Sequence, residues 1–225
     1  MLSRAPPAGA GGLQVAGSNT PGKCRRKRQS IRKKTKRAGL ECNEEGIMKR
    51  ASEYLNIPGG KRIWFQDFQP HFNLLVLDPI KRFPFQMDDM LIGFVFMSCC
   101  IDYLSGFWWG ENREIGMVRQ AYVGFINEYF RPRGLYNAKG IYDSLRNGLV
   151  HLFTIKDKIY ELTFDEPQRH LTVSHNGFII LNAGNFRNDL IDAANRYFNE
   201  VEKNPQLLDK AFQRYERDGF IRWVD

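Results

Sequence analysis

Apolar positions recur along most of this chain with a spacing that changes from segment to segment, and the changes mark the elements. Residues 87–109 are apolar on nearly every side, which predicts a long helix at the centre of a bundle; Asp88 and Asp89 near its start suit the helix macrodipole. Residues 112–130 read as an amphipathic helix ended by Arg131-Pro132-Arg133-Gly134. From residue 137 to about 155, Ile141, Tyr142, Leu145, Leu149 and Leu152 form one apolar stripe at helical spacing. The short connection makes these two helices antiparallel neighbours. Residues 185–203 return to helical period through Leu190, Ala193, Ala194, Tyr197 and Val201, and Pro205 opens a last helix that stops at Gly219. Near the start, residues 44–56 predict a short helix stopped by Pro58-Gly59-Gly60. Residues 61–85 alternate aromatics with Pro70, Pro79 and Pro84, which predicts an irregular segment that packs its rings on the bundle.

Between the helices the period drops to two. Residues 158–164, 169–174 and 178–181 carry alternating β-branched and aromatic side chains, divided by Asp165-Glu166-Pro167 and by Asn176-Gly177. Asn-Gly between two such runs is a strong hairpin signal. The expected fold is therefore mainly α: an antiparallel helical bundle with a small antiparallel β-meander, about residues 158–182, inserted before the last bundle helices. Residues 1–45 read as a tail, and residues 46–225 as a single domain with its bundle core at about 87–201.

The helix at residues 137–155 carries the candidate chemistry. Asp143, Asn147 and His151 follow one another at intervals of four and line a polar stripe opposite the apolar one. Arg146 lies beside that stripe, three residues after Asp143. Histidine titrates near neutrality and moves protons, whereas arginine stays charged and forks two bonds to phosphate oxygens. Metal-free cleavage of a phosphodiester needs that combination. The plain alternative is a satisfied polar histidine beside an Asp143–Arg146 surface ion pair. Gly140, Ser144 and Gly148 make a row of small residues beside the polar stripe, where a second helix could dock. At 100° per residue, Arg146 and His151 point about 140° apart, so one chain alone presents poor geometry for one phosphate. A two-fold partner across the small-residue groove would supply the missing half.

The residues Arg146-Asn147-(three residues)-His151 resemble the signature of HEPN domains: an arginine followed by a polar residue, then, after a short spacer, a histidine. The resemblance covers about residues 87–201, roughly half the chain. It implies a HEPN-like antiparallel bundle acting as a homodimer, with Arg146, Asn147 and His151 forming a metal-independent ribonuclease site. It implies RNA as substrate, products ending in 2′,3′-cyclic phosphate and 5′-hydroxyl, no cofactor, a setting in phage defence or a toxin system, and a regulatory protein partner. It also implies an acidic or polar residue on an earlier helix facing the motif, for which Asp102 is the candidate; Asp143 is a second supporting residue. A noncatalytic module that binds RNA or a nucleotide, and a purely structural dimerisation domain, remain as rivals.

Charge changes the picture by where it lies. The net charge of +8 comes from the tail: residues 23–37 hold ten Lys or Arg and no acid, and with Arg4 set aside as well, 22 basic face 25 acidic residues from Ala38 onward. The tail reads as a nucleic-acid-binding arm, as a solvated extension without specific role, or as sequence upstream of a true start at Met48. The lack of aromatics among its basic residues favours the last two. Cys99 and Cys100 point about 100° apart on a helix, and Cys24 and Cys42 lie in or near the tail, so no pair has metal-ligand spacing and reduced thiols in a cytoplasmic protein are expected. His170 and His175 alternate across a strand and turn, which offers no metal site. Residues 91–109 are long enough to span a bilayer, but Asp102 would cost roughly 2.5–3.5 kcal/mol there, so a buried bundle helix and no membrane partner are expected.

Overall fold

The computed structural model describes residues 48, 50–86, 89–110, 117–152, 154–155 and 159–219. The expected tail, Cys24, Cys42 and the ends of several expected elements (Met87, Asp88, Asn112 and Lys158 among them) lie outside the described residues.

After α1 (Ala51–Leu55) the chain contradicts the expectation of an irregular segment over residues 61–85. It forms α2 (Gly60–Phe72), a π-helical turn (Asn73–Leu77) and α3 (Asp78–Arg82) in unbroken succession. Proline breaks a helix only where its ring clashes or its missing N–H is needed. Pro79 sits in the first turn of α3, where proline is tolerated, and Pro70 inside α2 is followed at once by the widened turn. The stronger signal is aromatic: Trp64, Phe65, Phe68 and Phe72 recur on one face, and all are buried. The Phe68 ring lies 5.1 Å from Trp64, 5.0 Å from Phe107 and 6.3 Å from Phe198, so α2 is nailed to the body by rings, each worth about 2–3 kcal/mol on full burial.

The central element is α4 (Met90–Trp109), as its all-round apolarity predicts. It packs against α5 (Met117–Tyr129), α8 (Ala183–Lys203), α9 (Pro205–Asp218) and a second π-helical segment, Tyr142–Leu149. Gly124 on α5 lets the Trp108 ring come so close that a Cβ there would sit 2.6 Å from it, which brings the α4 and α5 backbones together. Ser98 and Tyr122 share a buried 3.0 Å hydrogen bond across the same contact. Among the described residues α4 is the one helix long and apolar enough to cross a membrane, and 56% of its apolar window is buried within the protein.

The expected meander is not what forms. β1 (Tyr160–Thr163) pairs in parallel with β2 (Ile179–Asn182), Tyr160 opposite Ile179. The middle segment contributes a single antiparallel bridge, Val173 to Ile179. It does fold back on β2 as a hairpin whose turn contains Asn176-Gly177, with Gly177 at φ +81°. Alternation specifies that segments are extended, not which edges pair. A 3₁₀ turn at Pro167–Arg169 and a left-handed Leu171 (φ +60°) shorten the middle segment, and the outer two runs meet instead.

The insertion is tied down by His170. Its Nδ1 accepts from the Asn182 backbone N–H at 3.1 Å, and its Nε2 lies 2.9 Å from the Tyr136 hydroxyl, which in turn donates to Asp189 on α8.

Candidate active site

The motif helix begins at Asn137, whose side-chain oxygen accepts the Gly140 N–H at 3.0 Å as an N-cap. It runs through α6 (Ala138–Ile141), the π segment (Tyr142–Leu149) and α7 (Val150–Leu152). The π segment decides the geometry. Its i→i+5 bonding widens the helix, so residues five apart, rather than four, come to share a face. Arg146 and His151 are five apart. Instead of diverging, they touch: Arg146 Nη1 lies 2.8 Å from His151 Nε2. The expectation of poor geometry within one chain assumed α-helical winding and is overturned by this contact.

Both terminal nitrogens of Arg146 are placed by their surroundings, while its buried Nε makes no hydrogen bond among the described residues. Nη1 also donates to Asn147 Oδ1 at 3.1 Å, and Nη2 donates to Asp102 Oδ2 on α4 at 3.3 Å. Below, the guanidinium carbon lies 5.6 Å from the centre of the Tyr142 ring, a cation–π contact. Tyr142 meets Tyr122 edge-on at 5.3 Å, and Tyr122 holds Ser98 of α4. A column of buried rings thus supports a charged group at the surface. Burial pushes the Tyr122 phenol well above its ordinary value, so it remains a neutral hydrogen-bonding strut.

His151 is exposed while Arg146 is only 21% so at its side chain. Arginine only donates, so Nε2 meets it with its lone pair and the ring proton sits on Nδ1. The arrangement therefore presents an exposed imidazole whose one lone pair is held by a fixed cation and is freed when the Arg146 fork turns to a ligand. One turn earlier on α4, Cys99 opens onto the same neighbourhood, but partial burial and then the Asp102 carboxylate raise its thiol above the usual range, against the opposing pull of Arg146. It stays a thiol, which argues against a nucleophilic cysteine.

Of the residues singled out from sequence, Asp102, Arg146, Asn147 and His151 converge. Asp143 does not join them: it pairs with Arg119 of α5 at 2.5 Å. The row of Gly140, Ser144 and Gly148 is buried inside the chain, Ser144 completely, so it is no open groove for a partner helix. Its smallness serves packing within the chain, where the π segment lies against α4. Tyr142 and Arg119 are the neighbours that sequence reasoning misses. Tyr142 is an aromatic four residues before an arginine, but its spacing fits the apolar stripe equally well. Arg119 lies on another element and left no local signal. Among the described residues no group of His, Cys, Asp and Glu could hold a metal ion.

In comparison with known proteins, no family model, no curated protein and no solved structure matches this chain.

Proposed function

We propose that this protein is a HEPN-type, metal-independent endoribonuclease acting as a homodimer. The observation that carries the reading is the convergence of Asp102, Arg146, Asn147 and His151 on one surface cluster through a π turn. As Arg146 Nη1 turns from His151 to the phosphate, the freed His151 Nε2 takes the proton of a ribose 2′-hydroxyl. The freed oxygen attacks the adjacent phosphorus, and the bond to the 5′-oxygen breaks as that oxygen picks up a proton. A 2′,3′-cyclic phosphate and a 5′-hydroxyl result. Arg146 carries the charge that builds on the phosphoryl oxygens, held in place by Asp102 and the Tyr142 ring, while Asn147 fixes the fork's direction.

Base and acid work on opposite sides of an in-line displacement, so one imidazole serves one of them at a time. A second copy of the chain supplies the other His151. With the small-residue row already buried, the contact falls to exposed apolar chains on the two helices that carry the cluster: Ile92 and Phe96 of α4, and Leu152 of α7, which packs on α4. Phe96→Glu then yields monomers in light scattering and loses cleavage together. A wild-type monomer that still cleaves would refute the dimer.

The rival of binding without turnover draws on one feature, that both terminal nitrogens of Arg146 are already engaged by three neighbours. Cleavage of single-stranded RNA in chelator separates the two. His151→Ala lowers the rate by about 10²- to 10⁴-fold with the fold intact. Bound but uncut RNA with wild type would favour the rival.

A further inference from the structure

A second guanidinium lies against the motif helix next to this cluster, and it is held more sparely than the first. Arg146 is gripped at both terminal nitrogens, Nη2 by Asp102 at 3.3 Å and Nη1 by Asn147 and His151. Asp143 grips Arg119 by Nη2 alone at 2.5 Å, leaving the Arg119 side chain 49% exposed. Asp143 precedes Arg146 by three residues on the motif helix, so Arg119 reaches over from α5 to the turn before the cluster. An exposed ion pair of this kind adds little to stability, too little to explain the arrangement as a brace. What it does supply is orientation: Arg119, fixed at one nitrogen, keeps its remaining donors in a planar fork suited to phosphate.

We infer that Arg119, oriented by Asp143, is a second phosphate subsite that holds the backbone of a single-stranded RNA next to the phosphate on Arg146, and it rests on the reading of Arg146 and His151 as a phosphodiester site. The ligand is an RNA strand of at least two phosphates. A dinucleoside monophosphate fills the cluster but leaves Arg119 empty.

The test uses the full chain and two kinds of probe. With short single-stranded RNA and a dinucleoside monophosphate as substrates, Arg119→Gln narrows the wild-type KM preference for the longer strand about tenfold, the scale of one charged hydrogen bond. With a labelled all-deoxy strand, which lacks the attacking hydroxyl, fluorescence anisotropy across a salt series reads binding alone. There Arg119→Gln lowers the slope of log K against log salt by about 0.7, one phosphate contact on a single strand. If the wild type cuts nothing but the slope still falls, the nuclease reading fails and the subsite stands. An unchanged slope and KM ratio, or no binding by wild type, overturns the subsite. Thermal unfolding checks that Arg119→Gln keeps the fold.

Discussion

Two histidines of this protein sit in hydrogen-bonded clusters of similar size, and they are built in opposite ways. His170 is sealed under the β insertion, its side chain 9% exposed, with Nδ1 accepting a backbone N–H and Nε2 directed at Tyr136 and Asp189. His151 stands in solvent at the end of a π segment, with Nε2 accepting from an arginine. The partners assign opposite tautomers: the ring proton is on Nε2 in His170 and on Nδ1 in His151. One arrangement spends every polar atom on joining the loop before α6, the insertion and α8. The other holds an exposed imidazole by a single arginine donor that a ligand at the surface can draw away. Histidine in a network is thus no sign of function by itself; the direction of its free face is.

The comparison breaks first in denaturation. His170→Ala orphans the buried Asn182 N–H and costs about 2 kcal/mol, a fall in Tm of roughly 4–8 °C. His151→Ala, which removes an exposed side chain, shifts stability by less than about 0.5 kcal/mol. Equal losses in the two variants would show that His151 is a structural group like His170.

Alkali sharpens the contrast. Burial, and then the hydrogen bond to Asp189, hold the Tyr136 phenol far above its ordinary value in the folded protein. The unfolded chain ionises at about pH 10, so the stability Tyr136 contributes is complete below that pH and is lost as pH rises past it. The slope is about 1.4 kcal/mol per pH unit for each such group. Urea midpoints at pH 9 and 11 should fall less steeply in Tyr136→Phe than in wild type; an identical fall would remove Tyr136 from the latch.

Legibility followed the same divide. Asp102, Arg146, Asn147 and His151 could be named from residue types and a family resemblance. Their mutual geometry could not, because 100° per residue is the wrong winding for Tyr142–Leu149. Nothing in the local residues announces a π turn; packing against α4 accompanies it. The helices over residues 60–82 are masked in the sequence by Pro70 and Pro79 although the aromatic period is in plain view. The parallel pairing of β1 with β2 was beyond reach, since a strand's alternation carries no record of its neighbour. His170 reads from sequence only as a strand-and-turn histidine with no metal site, because its partners lie 34 and 19 positions away.

The smallest effect concerns the tail. Met48 is buried in the core, so a chain beginning there keeps its packing. Its turnover should stay within about twofold of the full chain at about 150 mM salt, where exposed charges are screened beyond roughly 8 Å. A drop of about tenfold or more would make the ten basic residues of 23–37 part of the machinery.

The most direct test is the chemistry of the cut. A short RNA and its all-deoxy copy are incubated with the protein in excess chelator, and the product masses are read. The account predicts that the RNA is cut, leaving 2′,3′-cyclic phosphate and 5′-hydroxyl ends, while the deoxy strand stays whole. An intact RNA, a cut deoxy strand, or cleavage that chelator abolishes would contradict it.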